Sequence, residues 1–173
     1  MEGKLRRRII THRNGEGKSI VAYDGPPIEF GGLFEMWVTD RSPADNKHQD
    51  DAAKRKVRLE PPSNGSILRF FKVFPKDPSR PTEEVEEETA KRFAAMDASH
   101  CRPDTSRNPG MHKTKTVDYI ILLEGEITLL LDEDELDLRP FDVVIQRGTN
   151  HAWINKGSKP ALLVSVMIDA EPI

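Results

Sequence analysis

His112, Asp118 and His151 bring together two imidazoles and one carboxylate. That set can hold a divalent metal on one face and leave the remaining positions open for substrate or oxygen. The same groups could move protons instead, with the two imidazoles exchanging them and the carboxylate orienting or tuning one ring. The residues around them are compactly spaced. Gly110-Met111-His112-Lys113-Thr114 precedes Asp118-Tyr119 and an apolar run to Gly125, and Gln146-Arg147-Gly148-Thr149-Asn150-His151 leads into Ala152-Trp153-Ile154-Asn155. Strand alternation gives His112 the face of Thr114, and His151 the face of Trp153. Taken singly, each histidine also suits a hydrogen-bonded scaffold position with no metal.

Further residues could shape a pocket beside this trio. In the strand at residues 67–74, Arg69 and Phe71 share a face opposite Phe70, Lys72 and Phe74. Arg69 could grip a carboxylate bidentately, or could form a surface ion pair. Trp153 suits either a core aromatic or a substrate platform. Thr114 and Gln146 are further candidate substrate contacts, with the direction of Gln146 left open by parity. Tyr119, of opposite parity to Asp118, should point outward. Cys101, the single cysteine, excludes an internal disulfide and a cysteine-only zinc site, and only His100 stands beside it as a base.

The elements that must carry these residues are short. Segments 8–12, 19–23, 33–38 and 67–74 read as strands, and so do 119–123, 127–131, 136–138, 143–146, 151–154 and 162–168. Turn residues separate them, a pattern that argues for an all-β sandwich or small barrel. One helix is expected near 82–96, N-capped by Thr82, with Val85, Thr89, Phe93 and Met96 on a stripe that would lie on the outside of a sheet. Residues 40–66 are polar and broken by Pro43, Pro61 and Pro62, and read as a long excursion or mobile loop, its order left open, rather than a second domain. At 173 residues the chain is expected to be one domain.

The net charge of −3, from 26 basic and 29 acidic residues, gives no case for a nucleic-acid partner. The basic stretch Arg6-Arg7-Arg8 reads as a solvated strand end. No apolar run reaches the roughly 20 residues a membrane helix requires, and no apolar h-region follows the charged N-terminus. A cytoplasmic location is the expectation.

The region 112–155 resembles the two motifs of the cupin superfamily, specifically a small single-domain cupin. Counting back from Gly125, Asp118 falls in the family's glutamate slot, and His112 and Thr114 fall in its two histidine slots. Gly148, His151 and Asn155 match the second motif, while Pro140 and Gln146 occupy its first-glycine and proline slots. Thr114 replaces a ligand imidazole, and Asp118 is one methylene shorter than the family's glutamate. The resemblance implies a double-stranded β-helix, or jelly-roll barrel, with extra N-terminal strands over 1–39 and one flanking helix. It implies one divalent metal (iron, manganese, zinc or nickel) on His112, Asp118 and His151, and a homodimer that exchanges N-terminal strands. A metal-dependent enzyme of decarboxylase or dioxygenase type, acting on a small carboxylate, enol or phenolic metabolite, is the leading expectation. A metal-free lyase or isomerase using His/Asp acid–base chemistry, or a small-molecule-binding protein, is the alternative.

Overall fold

The computed structural model describes residues 7–173, so residues 1–6, including Arg6 of the basic stretch, lie outside the described residues. Eleven strands run in the order β1 (Arg8–Arg13), β2 (Ser19–Gly25), β3 (Ile28–Phe30), β4 (Leu33–Thr39), β5 (Ser66–Val73), β6 (Thr116–Glu124), β7 (Ile127–Leu131), β8 (Glu135–Leu138), β9 (Val143–Gln146), β10 (His151–Ile154) and β11 (Ala161–Asp169). One helix, α1 (Thr82–Ala95), and a 3₁₀ turn at Ser99–Cys101 lie between β5 and β6. The expected strands stand within a few residues of these bounds. The three-residue β3, hidden behind Pro26-Pro27, was not among them.

The strands form a six-stranded sheet in the order β3-β4-β5-β11-β6-β9, a three-stranded sheet in the order β10-β7-β8, and the separate hairpin β1-β2. Together the two larger sheets make the double-stranded β-helix. Period-two alternation sets its inward face. In β6, Thr116, Asp118, Ile120 and Leu122 are buried, while Tyr119 is 45% exposed and points outward as expected. Ile120, Leu122, Ile127, Leu129, Leu138, Ala161 and Leu163 form the apolar core. Gly125 is required at its turn: its φ is +88°, and a Cβ there would sit 2.9 Å from the Ala161 backbone.

Two expectations are corrected, and the order of residues 40–65, open in the sequence, is visible here. Residues 40–65 hold no regular element, yet Ala53, Val57 and Leu59 are buried. Val57 and Leu59 pack with Leu33, Phe93, Met96 and Cys101, so apolar burial straps this segment down. Arg8 is not a solvated strand end. It is buried and makes a bidentate pair with Asp51 at 2.6 and 2.5 Å, pinning the hairpin to the strap. Pro81, not Thr82, holds the N-cap of α1, and no side chain caps that end. With φ already fixed near the helical value, the proline leaves Thr82 as the first helical residue.

Candidate active site

Helix α1 does not lie on the outside of a sheet. It forms one wall of a cavity of about 580 Å³, contributing Val85, Thr89, Arg92, Phe93 and Met96. These positions recur at helical spacing, so a single face of α1 covers the opening. The barrel supplies His112, Asp118, His151, Arg69, Phe71 and Trp153 to the same cavity. Six of the eight expected site residues therefore line one space.

The other two do not. Thr114 is buried with its hydroxyl 2.6 Å from that of Thr116, and it is absent from the cavity wall. The Gln146 amide is turned onto the Thr149 carbonyl at 2.9 Å, and it borders a smaller hollow with Leu129, Leu131 and Val144. Each polar group has found a local partner, and neither lines the cavity with the other six.

The two histidines meet through a bridge. The backbone N–H of His112 donates to the His151 carbonyl, and that of His151 donates to the His112 carbonyl, both at 2.9 Å. Their ring centroids are 4.3 Å apart. His112 Nδ1 donates to the Gly110 carbonyl at 2.8 Å, and His151 Nδ1 donates to the Thr149 carbonyl at 3.0 Å. These bonds fix the tautomer and leave Nε2 of each ring as the atom with a free lone pair. Gly148, at φ +63°, makes the turn into β10; a Cβ there would press to 3.0 Å against the Thr114 carbonyl. Burial lowers the pKa of both rings, that of His151 to about 3, with the neighbouring His112 adding to the effect. Both imidazoles are neutral at physiological pH.

Asp118 lies opposite Gln146 in the β6–β9 register. Its Oδ1 is buried without a hydrogen-bond partner. Burial pushes its carboxyl up to about 6, against the Thr116 hydrogen bond and the nearby Arg69 guanidinium. Arg69 is only 2% exposed and its guanidinium is committed. Nε lies 2.7 Å from Glu35 Oε1, and the other nitrogens donate to the Arg58 and Leu59 carbonyls at 2.6 and 3.3 Å. The Arg69–Glu35 contact is an ion pair out of line for a hydrogen bond, since both atoms lack an aligned partner. Arg69 is thus a buried wall charge rather than a surface pair. Glu35 escaped the sequence reading, although a lone acid sharing the parity of Leu33 in an apolar strand is a signal for a buried partner.

The expected three-donor metal set is assembled only in part. The two imidazoles adjoin, but Asp118 is not among donor atoms gathered within 4.8 Å. Among the described residues the one such group is Glu60, His100 and Cys101. Asp118 is one methylene shorter than the glutamate of the motif it resembles, and its carboxylate is drawn toward Thr116 and Arg69. As the residues stand, His112, Asp118 and His151 are not gathered into one three-donor cluster.

Aromatic rings make the remaining walls. Phe93 meets His112 edge-on at 5.1 Å, Trp153 meets His151 edge-on at 5.6 Å, and Phe71 lies 6.3 Å from Trp153. Six Lys or Arg residues line the cavity (Arg69, Lys72, Lys76, Arg80, Arg92 and Arg107) against two aspartates, Asp77 and Asp118. Arg80 is paired with Glu88, and Arg107 donates to the carbonyls of Leu131 and Asp132. Arg92 is solvent-exposed, has no hydrogen bond or ion pair among the described residues, and has its pKa lowered by partial desolvation against the cavity wall. The signal for Arg92 in the sequence is its place one residue before Phe93 of the helix stripe.

Residues 100–167 match the family described as Cupin domain. The phomopsin biosynthesis cluster protein C' of Diaporthe leptostromiformis is 45% identical over 180 aligned residues, covering 96% of this chain and 79% of that protein. The cupin-domain-containing oxidoreductase srdD of Neurospora crassa is 36% identical over 180 residues, covering 96% of this chain and 76% of that protein. Among solved structures, a Cupin 2 conserved barrel domain protein from Salinispora arenicola is 17% identical, covers 61% of this chain and 64% of its own, and superposes with a TM-score of 0.39. No helix among the described residues is long and apolar enough to cross a membrane.

Proposed function

The chain belongs to the cupin superfamily, and from that premise we propose an enzyme that transforms a small anionic organic molecule in the cavity beneath α1. The observation that carries this reading is the His112–His151 pair: two neutral imidazoles, each anchored through Nδ1 with Nε2 free to accept a proton. Asp118, raised to about 6, is the cavity group whose pKa lies nearest the working pH of a general base. The two neutral imidazoles accept hydrogen bonds through Nε2 beside it, and positioned proton transfer contributes roughly 10²–10⁴-fold to rate. Asp118, with its carboxyl near pKa 6, can hold or return a proton in the same cavity. Arg92 meets the negative charge of the substrate's carboxylate or phenolate, and Phe71, Trp153 and Phe93 exclude water around its apolar part. Proton removal from a carbon or hydroxyl next to a carbonyl is the step this arrangement supports. The relatives' names, an oxidoreductase and a biosynthesis-cluster protein, support small-molecule chemistry for the same fold.

A second reading keeps a divalent metal on His112 and His151, favoured by two free Nε2 lone pairs on adjoining rings. Metal analysis of untagged protein separates the two. Near one metal per chain, retained in Cys101→Ser and lost in His112→Ala, would select the metal reading. The test of the acid–base reading is deuterium wash-in from D₂O at the carbon next to the carbonyl of a panel of 2-oxo acids. Exchange above the buffer rate, reduced at least about 100-fold in His112→Ala and His151→Ala, is the expected outcome. Exchange in neither the protein nor its variants, with no binding of benzoate over benzamide, would overturn it. The homodimer is also our reading, supported by exposed Ile9, Ile20 and Val21 on the hairpin, and light scattering of the native chain tests it.

A further inference from the structure

Glu60, His100 and Cys101 lie outside the cavity wall, and their donor atoms all fall within 4.8 Å of one another. We propose that they form a binding site for a zinc-class divalent cation, joining the strap at residues 40–66 to the 3₁₀ turn before β6. His100 Nε2 stands 2.8 Å from Glu60 Oε2 and 3.5 Å from Cys101 Sγ. One ring nitrogen thus faces two partners, and a single proton on it can serve only one of them. A metal ion among the three would satisfy all at once.

The distances suit this. Tetrahedral zinc, with bonds of about 2.0 Å to nitrogen and 2.3 Å to sulfur, places those two donors about 3.5 Å apart. The nitrogen and carboxylate oxygen would need to open by about 0.6 Å from their present contact. The frame is already held. Glu60 Oε1 accepts the Lys115 backbone N–H at 2.8 Å, leaving Oε2 for the ion. The Cys101 carbonyl accepts the Lys113 N–H at 2.8 Å, and its own N–H donates to Ala98 at 3.0 Å. Cys101 is buried while His100 is exposed, so an ion can enter from the histidine side with a water in the fourth position. Binding releases the thiol proton to solvent, and the thiolate and carboxylate then balance the dication. Without the ion, burial and the adjacent Glu60 hold the thiol up at about 12, an inert state.

Cobalt(II) tests this on the chelator-stripped full chain. The chain has one cysteine, so a thiolate-to-cobalt charge-transfer band can arise only from Cys101. One cobalt per chain showing that band, displaced by zinc and accompanied by a rise in Tm, is the expected result. His100→Ala, at an exposed position that leaves the fold intact, should abolish the band, as should Glu60→Gln. His112→Ala and His151→Ala should keep it. Absence of the band at excess cobalt would overturn the site, and so would a band that survives both His100→Ala and Glu60→Gln.

Discussion

Two places built from the same stretch of sequence handle buried polar groups in opposite ways. At the corner after β10, Asn155 is buried and fully partnered. Its amide donates to the carbonyls of Val73 and Lys159, both at 2.8 Å, and its Oδ1 accepts the Gly157 N–H at 2.8 Å. Its backbone carbonyl accepts the Lys76 N–H at 3.0 Å. On the cavity wall, Asp118 Oδ1 has no partner, and the two histidines hold neutral rings whose Nε2 atoms are left for a ligand. A satisfied buried amide fixes geometry, whereas an under-partnered buried acid or base stays poised to react. The contrast separates scaffold from chemistry within the region 112–155.

The largest effect should appear on the cavity side. His151→Ala should lower turnover by about 10²–10⁴-fold in a substrate-exchange assay; unchanged turnover would break the contrast. Asn155→Ala should act on stability, leaving the Val73 and Lys159 carbonyls unpaired at a cost of about 2–4 kcal/mol, read from the urea midpoint at constant m. A near-neutral result there would show that the corner is not a clamp.

Acid titration sharpens the comparison. His151 has a folded pKa of about 3, below its unfolded value of about 6.5. Its stabilising share is therefore complete above pH 6.5 and is lost as pH falls toward 3, about 2 kcal/mol between pH 7 and 5. Asp118 runs the other way. With its folded carboxyl raised to about 6, it favours the fold below its unfolded pKa and withdraws that support as pH rises through 6. Asp118→Asn should consequently gain on the order of 1 kcal/mol at pH 8 and steepen the acid loss, both visible in denaturation at several pH values. A stability curve insensitive to this substitution would remove Asp118 from the poised set.

The barrel was legible because alternation and turn residues are local. Asp118, Ile120 and Leu122 share a parity that their own sequence displays, and the inward set of β6 followed directly. What eluded sequence reading depends on register between distant segments. Arg69 meets Glu35 only because β5 pairs with β4 at those positions, and Glu60 reaches His100 across 40 residues. The stripe on α1 announced a buried face without saying that a cavity lay beneath it. Thr114 and Gln146 were placed by motif position, yet short-range hydrogen bonds to Thr116 and Thr149 decided their direction.

Under the proposed function, the arrangement of α1 separates recognition from reaction. Val85, Thr89 and Arg92 shape the cavity from a 14-residue helix that contributes no strand to the barrel. Exchanges at those positions would recast which molecules are accepted while the histidine pair keeps its anchors. Phe93 and Met96 of the same helix, buried with Leu33, Val57 and Leu59, are the positions such exchanges have to spare.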